Sequence, residues 1–260
     1  MRRIRMKAAL RVLAIVAGMI ACLACHYLWL LLGRRSPWPR RFLAWVGRLA
    51  GMRPTVVGEP LRNHVLFVSN HLSWLDIMLI AGATGSAFVS KDDVARWPLI
   101  GWLARLNNTV FVARTDRRAV HQQAEALRTA LASGQPVALF PEGTTEGGRE
   151  VLRFRASLLA AVIPPPPGIK VQPVAIDYGE AAHDIAWIGR EGAAANALRI
   201  LSRPGTTRVT LHFLAPIDPS EMPSRKALAD AARDEIVAQL DSARPDASGV
   251  DASADPRNLL

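Results

Sequence analysis

The chain has 260 residues, 50% of them hydrophobic, which is enough for one large domain with a sizeable core. Its formal net charge of +10 sits at the front: residues 1–53 hold eleven Arg and Lys and no acid, and the remainder has a net charge of −1. These bases interleave with a long apolar run, which points to an anionic lipid surface and argues against nucleic acid. Both cysteines, Cys22 and Cys25, lie in that run without a second pair or a histidine cluster, so neither a disulfide framework nor a metal site is expected.

Val12 to Leu32 is almost unbroken apolar sequence, with His26 as its polar exception. At about 1.5 Å per residue such a run could cross a hydrocarbon core of about 30 Å. It is too long for a cleaved leader, and the region after Leu32 is basic rather than small and neutral. From Pro39, the stretch PRRFLAWVGRLAGM places Phe42, Trp45, Val46 and Leu49 at helical spacing; it is too short to span and reads as an interfacial helix. Basic clusters flank the first run on both sides, so the positive-inside rule names no winner. A hairpin dipping into one leaflet, with both ends cytoplasmic, resolves the conflict; a single span is the alternative.

After Gly51 the pattern alternates. HVLFVS, AFVS, TVFVA, PVALF, IKVQPVAIDY and RVTLHFL read as strands. WLDIMLIAG, WPLIGWLARL, RRAVHQQAEALRTALASG, GAAANALRILSR and SRKALADAARDEIVAQL read as helices, and WPLIGW is expected in the core. Strands alternating with helices predict an α/β fold, a mostly parallel or mixed sheet flanked by helices, with the N-terminal hairpin attached. The organisation expected is 1–53 membrane-binding segment, 54–241 catalytic domain, and 242–260 a disordered tail with little to bury.

The stretch VSNHLSWLD places His71 five residues before Asp76, directly after an apolar strand. Packing or helix capping explains such residues in most proteins, and Ser73 with Asp76 forms an S-x-x-D capping pattern. The chemical reading is a His–Asp pair: the carboxylate holds one ring N–H and the other nitrogen takes a proton from a hydroxyl. An ideal helix would separate positions five apart by about 140°, so His71 must precede the helix and fold back over it. No G-x-S-x-G elbow supplies a nucleophile, so the hydroxyl belongs to a substrate.

NHLSWLD resembles the N-H-x-x-x-x-D block of the 1-acylglycerol-3-phosphate acyltransferases. FVAR at Phe111–Arg114, FPEGT at Phe140–Thr144 and VQPVAI at Val171–Ile176 are similar to that family's later blocks, in order. The resemblance implies an α/β acyltransferase fold and transfer of a fatty acyl group from acyl-CoA or acyl carrier protein to a lysolipid hydroxyl, with no resident cofactor. It implies His71 and Asp76 as catalytic residues, Arg114, Glu142, Gly143 and Thr144 in the acceptor site, and Pro173 on the acyl-donor side. Lys91 and Arg155 are further candidates for an anionic headgroup. Where the family continues FPEGT with arginine, this chain has Thr145; Arg149, Arg153 or Arg155 would have to replace that cation. FPEGTT with FVSK and WPLIGWLARL resembles the lyso-ornithine lipid acyltransferase branch.

The expected acceptor is 1-acylglycerol-3-phosphate, giving phosphatidic acid, with lyso-ornithine lipid as the alternative. The expected place is the cytoplasmic face of the inner membrane, beside anionic lipids. A catalytically silent lipid-binding protein is the rival from another class.

Overall fold

The computed structural model describes residues 2–112, 117–145, 147–148, 150–189 and 191–243; the end of the tail expected to be disordered lies outside them. Two helices come first, α1 (Arg2–Leu31) and α2 (Trp38–Leu49), then strand β1 (Met52–Val57). The chain continues through β2 (Val65–Ser69), α3 (Leu75–Thr84), β3 (Ala87–Lys91), α4 (Asp92–Ala95), α5 (Pro98–Leu106), β4 (Val110–Val112), α6 (Arg117–Ala132) and β5 (Val137–Leu139). It ends with β6 (Lys170–Asp177), α7 (Ala182–Ile185), α8 (Ala193–Ser202), β7 (Thr207–Phe213) and α9 (Arg225–Ala243).

The strands form one mixed sheet in the order β1-β7-β6-β2-β5-β3-β4. All neighbours are parallel except β6 and β7. The five strands from β6 to β4 therefore end on one edge. Strand β2 is buried at every position: Val65 and Phe67 join one core with Leu75, Ile80 and Leu211, while Leu66 and Val68 join the other with Leu131, Leu159 and Ile236. That is why it reads as a continuous apolar run rather than an alternating one.

Strand β1 is missing from the sequence-based elements, for a visible reason. It is an edge strand paired only with β7, it contains Pro54, and Met52 is its single buried residue. No apolar alternation marks it, and proline is tolerated there because one side of the strand has no partner. The expected division after Arg53 falls inside this strand. Residues 97–102, expected in the core, are corrected too: Trp97, Leu99, Ile100 and Trp102 are exposed. The helix that carries them folds back on α4, where Gly101 lies against the carbonyls of Val94 and Ala95.

The hairpin is fastened to the domain along its length. Arg11 donates to the carbonyls of Leu201 and Arg203 at 2.8 and 3.2 Å, at the end of α8. Gly18 of α1 faces the Trp45 ring of α2, and the rings of Trp29 and Trp38 meet edge to face at 6.4 Å. Of the α2 stripe, Val46 is buried, and the adjacent Gly47 faces Met78 and Leu79 of α3, while Phe42, Trp45 and Leu49 are half-buried. Arg40 donates to the Gly82 and Ala83 carbonyls at the end of α3, where the helix dipole favours a cation. The exposed apolar residues of the hairpin include Leu10, Leu13, Ile20 and Leu31 of α1. By length and composition alone, Met6–Leu31 is long and apolar enough to cross a membrane.

Helices α2 and α3 cross most closely at Gly82, where a Cβ would lie 2.8 Å from Cα of Ala44. Gly82→Val is expected to destabilise the protein by about 2 kcal/mol through overpacking. The measurement is urea unfolding of the intact chain; an unchanged midpoint would mean that the two helices are not held at this crossing.

Candidate active site

Strand β2 runs between β5 and β6, all three parallel, with Val68 opposite both Leu139 and Pro173. His71 and Glu142 each lie three residues beyond the paired Val68 and Leu139, so they leave the sheet at the same level. Two bonds on the β6 side carry the ladder past the end of β2. The Asn70 side chain donates to the Ile176 carbonyl at 3.0 Å and accepts from the Ile176 N–H at 2.8 Å. Asn70 thereby acts as one more pair of backbone groups and fixes the direction in which residue 71 departs.

His71 precedes α3 and folds back over its first turn. Its Nδ1 lies 2.8 Å from Oδ2 of Asp76, a residue with 0% exposure against 17% for the histidine side chain. The same oxygen accepts the backbone N–H of Leu72 at 2.7 Å and of Ser73 at 2.8 Å. The carboxylate that orients the histidine therefore also holds the turn leading into α3. A carboxylate accepts only, so Nδ1 carries the proton and Nε2 is the ring's acceptor. The other oxygen, Oδ1, accepts from the hydroxyl of the buried Tyr178 at 2.6 Å, directly after β6. Burial, with the Asp76 charge beside it, holds that phenol's pKa well above its ordinary value. The imidazole stacks on Phe140 with centroids 4.0 Å apart and planes 12° from parallel, which sets its tilt.

Glu142 is 3% exposed. Its Oε1 accepts the His71 backbone N–H at 2.8 Å and its Oε2 accepts the Leu152 N–H at 3.1 Å. It ties the loop after β2 to the loop after β5 and to the segment beyond. That is a bracing position; the acceptor contact expected of Glu142 would have to come from an oxygen already engaged by backbone. Gly143 has φ +75°, and a Cβ there would lie 3.2 Å from Nε of Arg155, so glycine serves both the turn and the close approach. Arg155 is held in turn by its N–H on the Pro141 carbonyl at 2.9 Å, and its side chain is exposed. Thr144 is exposed in the same loop. Thr145 donates its hydroxyl to the Trp187 carbonyl, and the Trp187 N–H reaches the Leu72 carbonyl at 2.8 Å. A third loop is thereby drawn to the same edge.

His71, Asp76, Glu142, Gly143 and Arg155 are thus brought together, with Thr144 beside them. Lys91 ends β3, two strands from β2. Arg114 and Arg149 lie outside the described residues. Pro173 is not on the loop edge: it is buried within β6, opposite Val68. It stands where the pairing of β6 changes between the Val171–Ile217 bridge and the Val174–Phe213 pair, a position at which a missing N–H costs little. Asn70 and Tyr178 are the site residues without a predicted role. Asn70 is visible in the sequence only as the first letter of NHLSWLD. Tyr178 has no pattern, only its place as a polar-tipped aromatic at the end of a strand.

A family model described as Acyltransferase matches residues 53–177. The chain is 36% identical over 242 residues to lyso-ornithine lipid O-acyltransferase of Rhodobacter capsulatus, covering 88% of this chain and 87% of that one. It is 32% identical to the 1-acyl-sn-glycerol-3-phosphate acyltransferase of Neisseria meningitidis, covering 69% and 72%. The fold matches the crystal structure of the 1-acyl-sn-glycerophosphate (LPA) acyltransferase from Thermotoga maritima, with a TM-score of 0.60 and 23% identity over 91% of this chain and 97% of that one. A chain with this sheet, with three converging loops and with relatives matched over most of their length belongs to the acyltransferase family, among the lysolipid O-acyltransferases.

Proposed function

We propose that His71 is the general base of an O-acyl transfer from a fatty acyl thioester, acyl-CoA or acyl carrier protein, to the hydroxyl of a lysolipid. The observation that carries this reading is the 2.8 Å contact between Nδ1 and Asp76 at the carboxyl edge of the sheet. Nε2 takes the proton of the acceptor hydroxyl as its oxygen attacks the thioester carbonyl. The tetrahedral intermediate collapses with loss of the thiolate, which recovers the proton from the imidazolium. Asp76 keeps the tautomer and stabilises the imidazolium. Ser73 is fully buried and does not serve as nucleophile, so the acyl group passes directly between substrates.

Lyso-ornithine lipid is the acceptor we favour over lysophosphatidate. Relatives of that name in Rhodobacter capsulatus and Rhizobium meliloti reach 36–37% identity. The residue after FPEGT is Thr145, whose hydroxyl is spent on the Trp187 carbonyl. Lysophosphatidate is the second reading, favoured by the Arg155 guanidinium beside Gly143. Arg114 and Lys91 belong to the proposal as headgroup contacts, and Pro173 as a residue of the acyl-donor side.

The hairpin is proposed to lie on the cytoplasmic face of the inner membrane, with α1 entering one leaflet. The reading rests on its tethers: Arg11 binds the end of α8, and eighteen positions later Trp29 meets Trp38 of the packed α2. A helix fastened near one end to α8 and near the other to the packed α2 presents its outer apolar face to lipid without leaving the protein.

With lyso-ornithine lipid and lysophosphatidate tested against both donors in mixed micelles, the wild-type chain should turn over lyso-ornithine lipid faster. In the same assay His71→Ala should lower kcat by about 10²- to 10⁴-fold with an unchanged circular-dichroism spectrum. Full activity in that variant would refute the base assignment. Glu142→Gln should destabilise the fold by about 2 kcal/mol, because an amide offers N–H where a backbone N–H needs an acceptor; urea unfolding reads it. Leu10, Leu13 and Ile20 changed together to Ser should weaken binding to anionic liposomes by roughly tenfold or more, measured by co-sedimentation.

A further inference from the structure

We infer that Tyr178 is a positioning residue for acyl transfer, acting through Asp76: its hydroxyl fixes the carboxylate so that Oδ2 stays aimed at the His71 ring. The inference rests on the general-base reading and adds a residue outside the motif blocks. Oδ2 has three donors, His71 Nδ1 and the N–H groups of Leu72 and Ser73, all from its own turn. Oδ1 has Tyr178, from the end of a different strand, at 2.6 Å. A carboxylate gripped at one oxygen still swings about its terminal torsion, which is broad and roughly two-fold. Gripped at both, it has one orientation. Because Tyr178 directly follows β6, which is paired to β2, the sheet itself holds the second grip.

Tyr178 also tempers the charge. A phenol donating to Asp76 takes up part of its negative charge, so the carboxylate holds the neighbouring imidazolium less tightly than it would alone. The hydroxyl stays protonated through any assay range, since burial first and the Asp76 charge second raise its pKa. Among the described residues, the titratable groups facing the pair are few. They are Tyr178 after β6, Glu142 on the His71 backbone, and Arg155 beside Gly143 on the loop after β5. Apolar Phe140 covers one imidazole face.

The test is a pair of changes with opposite signs. Tyr178→Phe keeps the ring and removes the donor. It should raise the acidic limb of kcat/KM by about 0.5 pH unit and lower kcat by roughly 3- to 10-fold with KM for the lysolipid unchanged. The chain has two tyrosines, and Tyr27 is exposed on α1. In a Tyr27→Phe background, global 3-fluorotyrosine labelling therefore alters Tyr178 alone and makes it a stronger donor. The acidic limb should then move to lower pH. A limb that stays put in the fluorinated protein, or moves the same way in both, overturns the inference, and this arm decides alone if Tyr178→Phe does not fold. His71→Ala separates the two readings. If it is fully active, the general-base reading fails. If it is inactive while the Tyr178 proteins keep the wild-type profile, only the role of Tyr178 fails.

Discussion

A carboxylate with no exposure to water is tolerated only where hydrogen-bond donors replace its hydration. Asp76 meets that condition with four donors, and each belongs to something the site needs: the imidazole of the proposed base, two N–H groups of the turn that leads into α3, and a phenol delivered by the neighbouring strand. Its place in the first turn of α3 adds the favourable end of the helix dipole. The requirement to solvate one buried charge therefore fixes the start of the helix, the tautomer of the histidine and the attachment of the loop to β6. None of the three is independent of the others.

The sheet register explains why those groups meet at all. Strands β5, β2 and β6 are parallel neighbours, so their loops emerge on one edge, and equal offsets from the Val68–Leu139 pair bring His71 and Glu142 out side by side. Glu142 then holds backbone on both sides of the gap. The antiparallel β7 has a different part. It joins the edge strand β1 to β6, and its altered pairing is accommodated by Pro173, whose missing N–H would weaken a regular central ladder.

Much of this was legible in the residues. The five-residue spacing of His71 and Asp76, with the helix starting between them, carries its geometry with it, and buried parallel strands announce themselves as unbroken apolar runs. What stayed hidden has physical reasons. Strand β1 has one buried residue and a proline, so it lacks any periodic signal. The direction of β7 is set by tertiary pairing, which strand composition does not encode. Glu142 reads equally as a substrate contact or a loop brace, because its depth is a property of three converging loops. Tyr178 is invisible because its partner lies 102 positions away in sequence and its importance rests on one oxygen atom. The exposed Trp97 and Trp102 reverse the expectation from composition because α5 packs on α4 through Gly101 instead of on the sheet.

Helix α3 joins the chemistry to the proposed membrane contact within ten residues. Its first turn holds Asp76; its last turn carries Gly82, against which Ala44 of α2 closes, and the carbonyls that receive Arg40. The hairpin proposed to meet lipid is therefore packed on the same rigid rod that orients the carboxylate of the proposed His–Asp pair. If the hairpin meets lipid as proposed, such a connection would set the height of the imidazole relative to the lipid surface. A hairpin serving only as an anchor could be joined by a flexible linker; the close Gly82 crossing and the Arg40 cap are what a fixed working height requires.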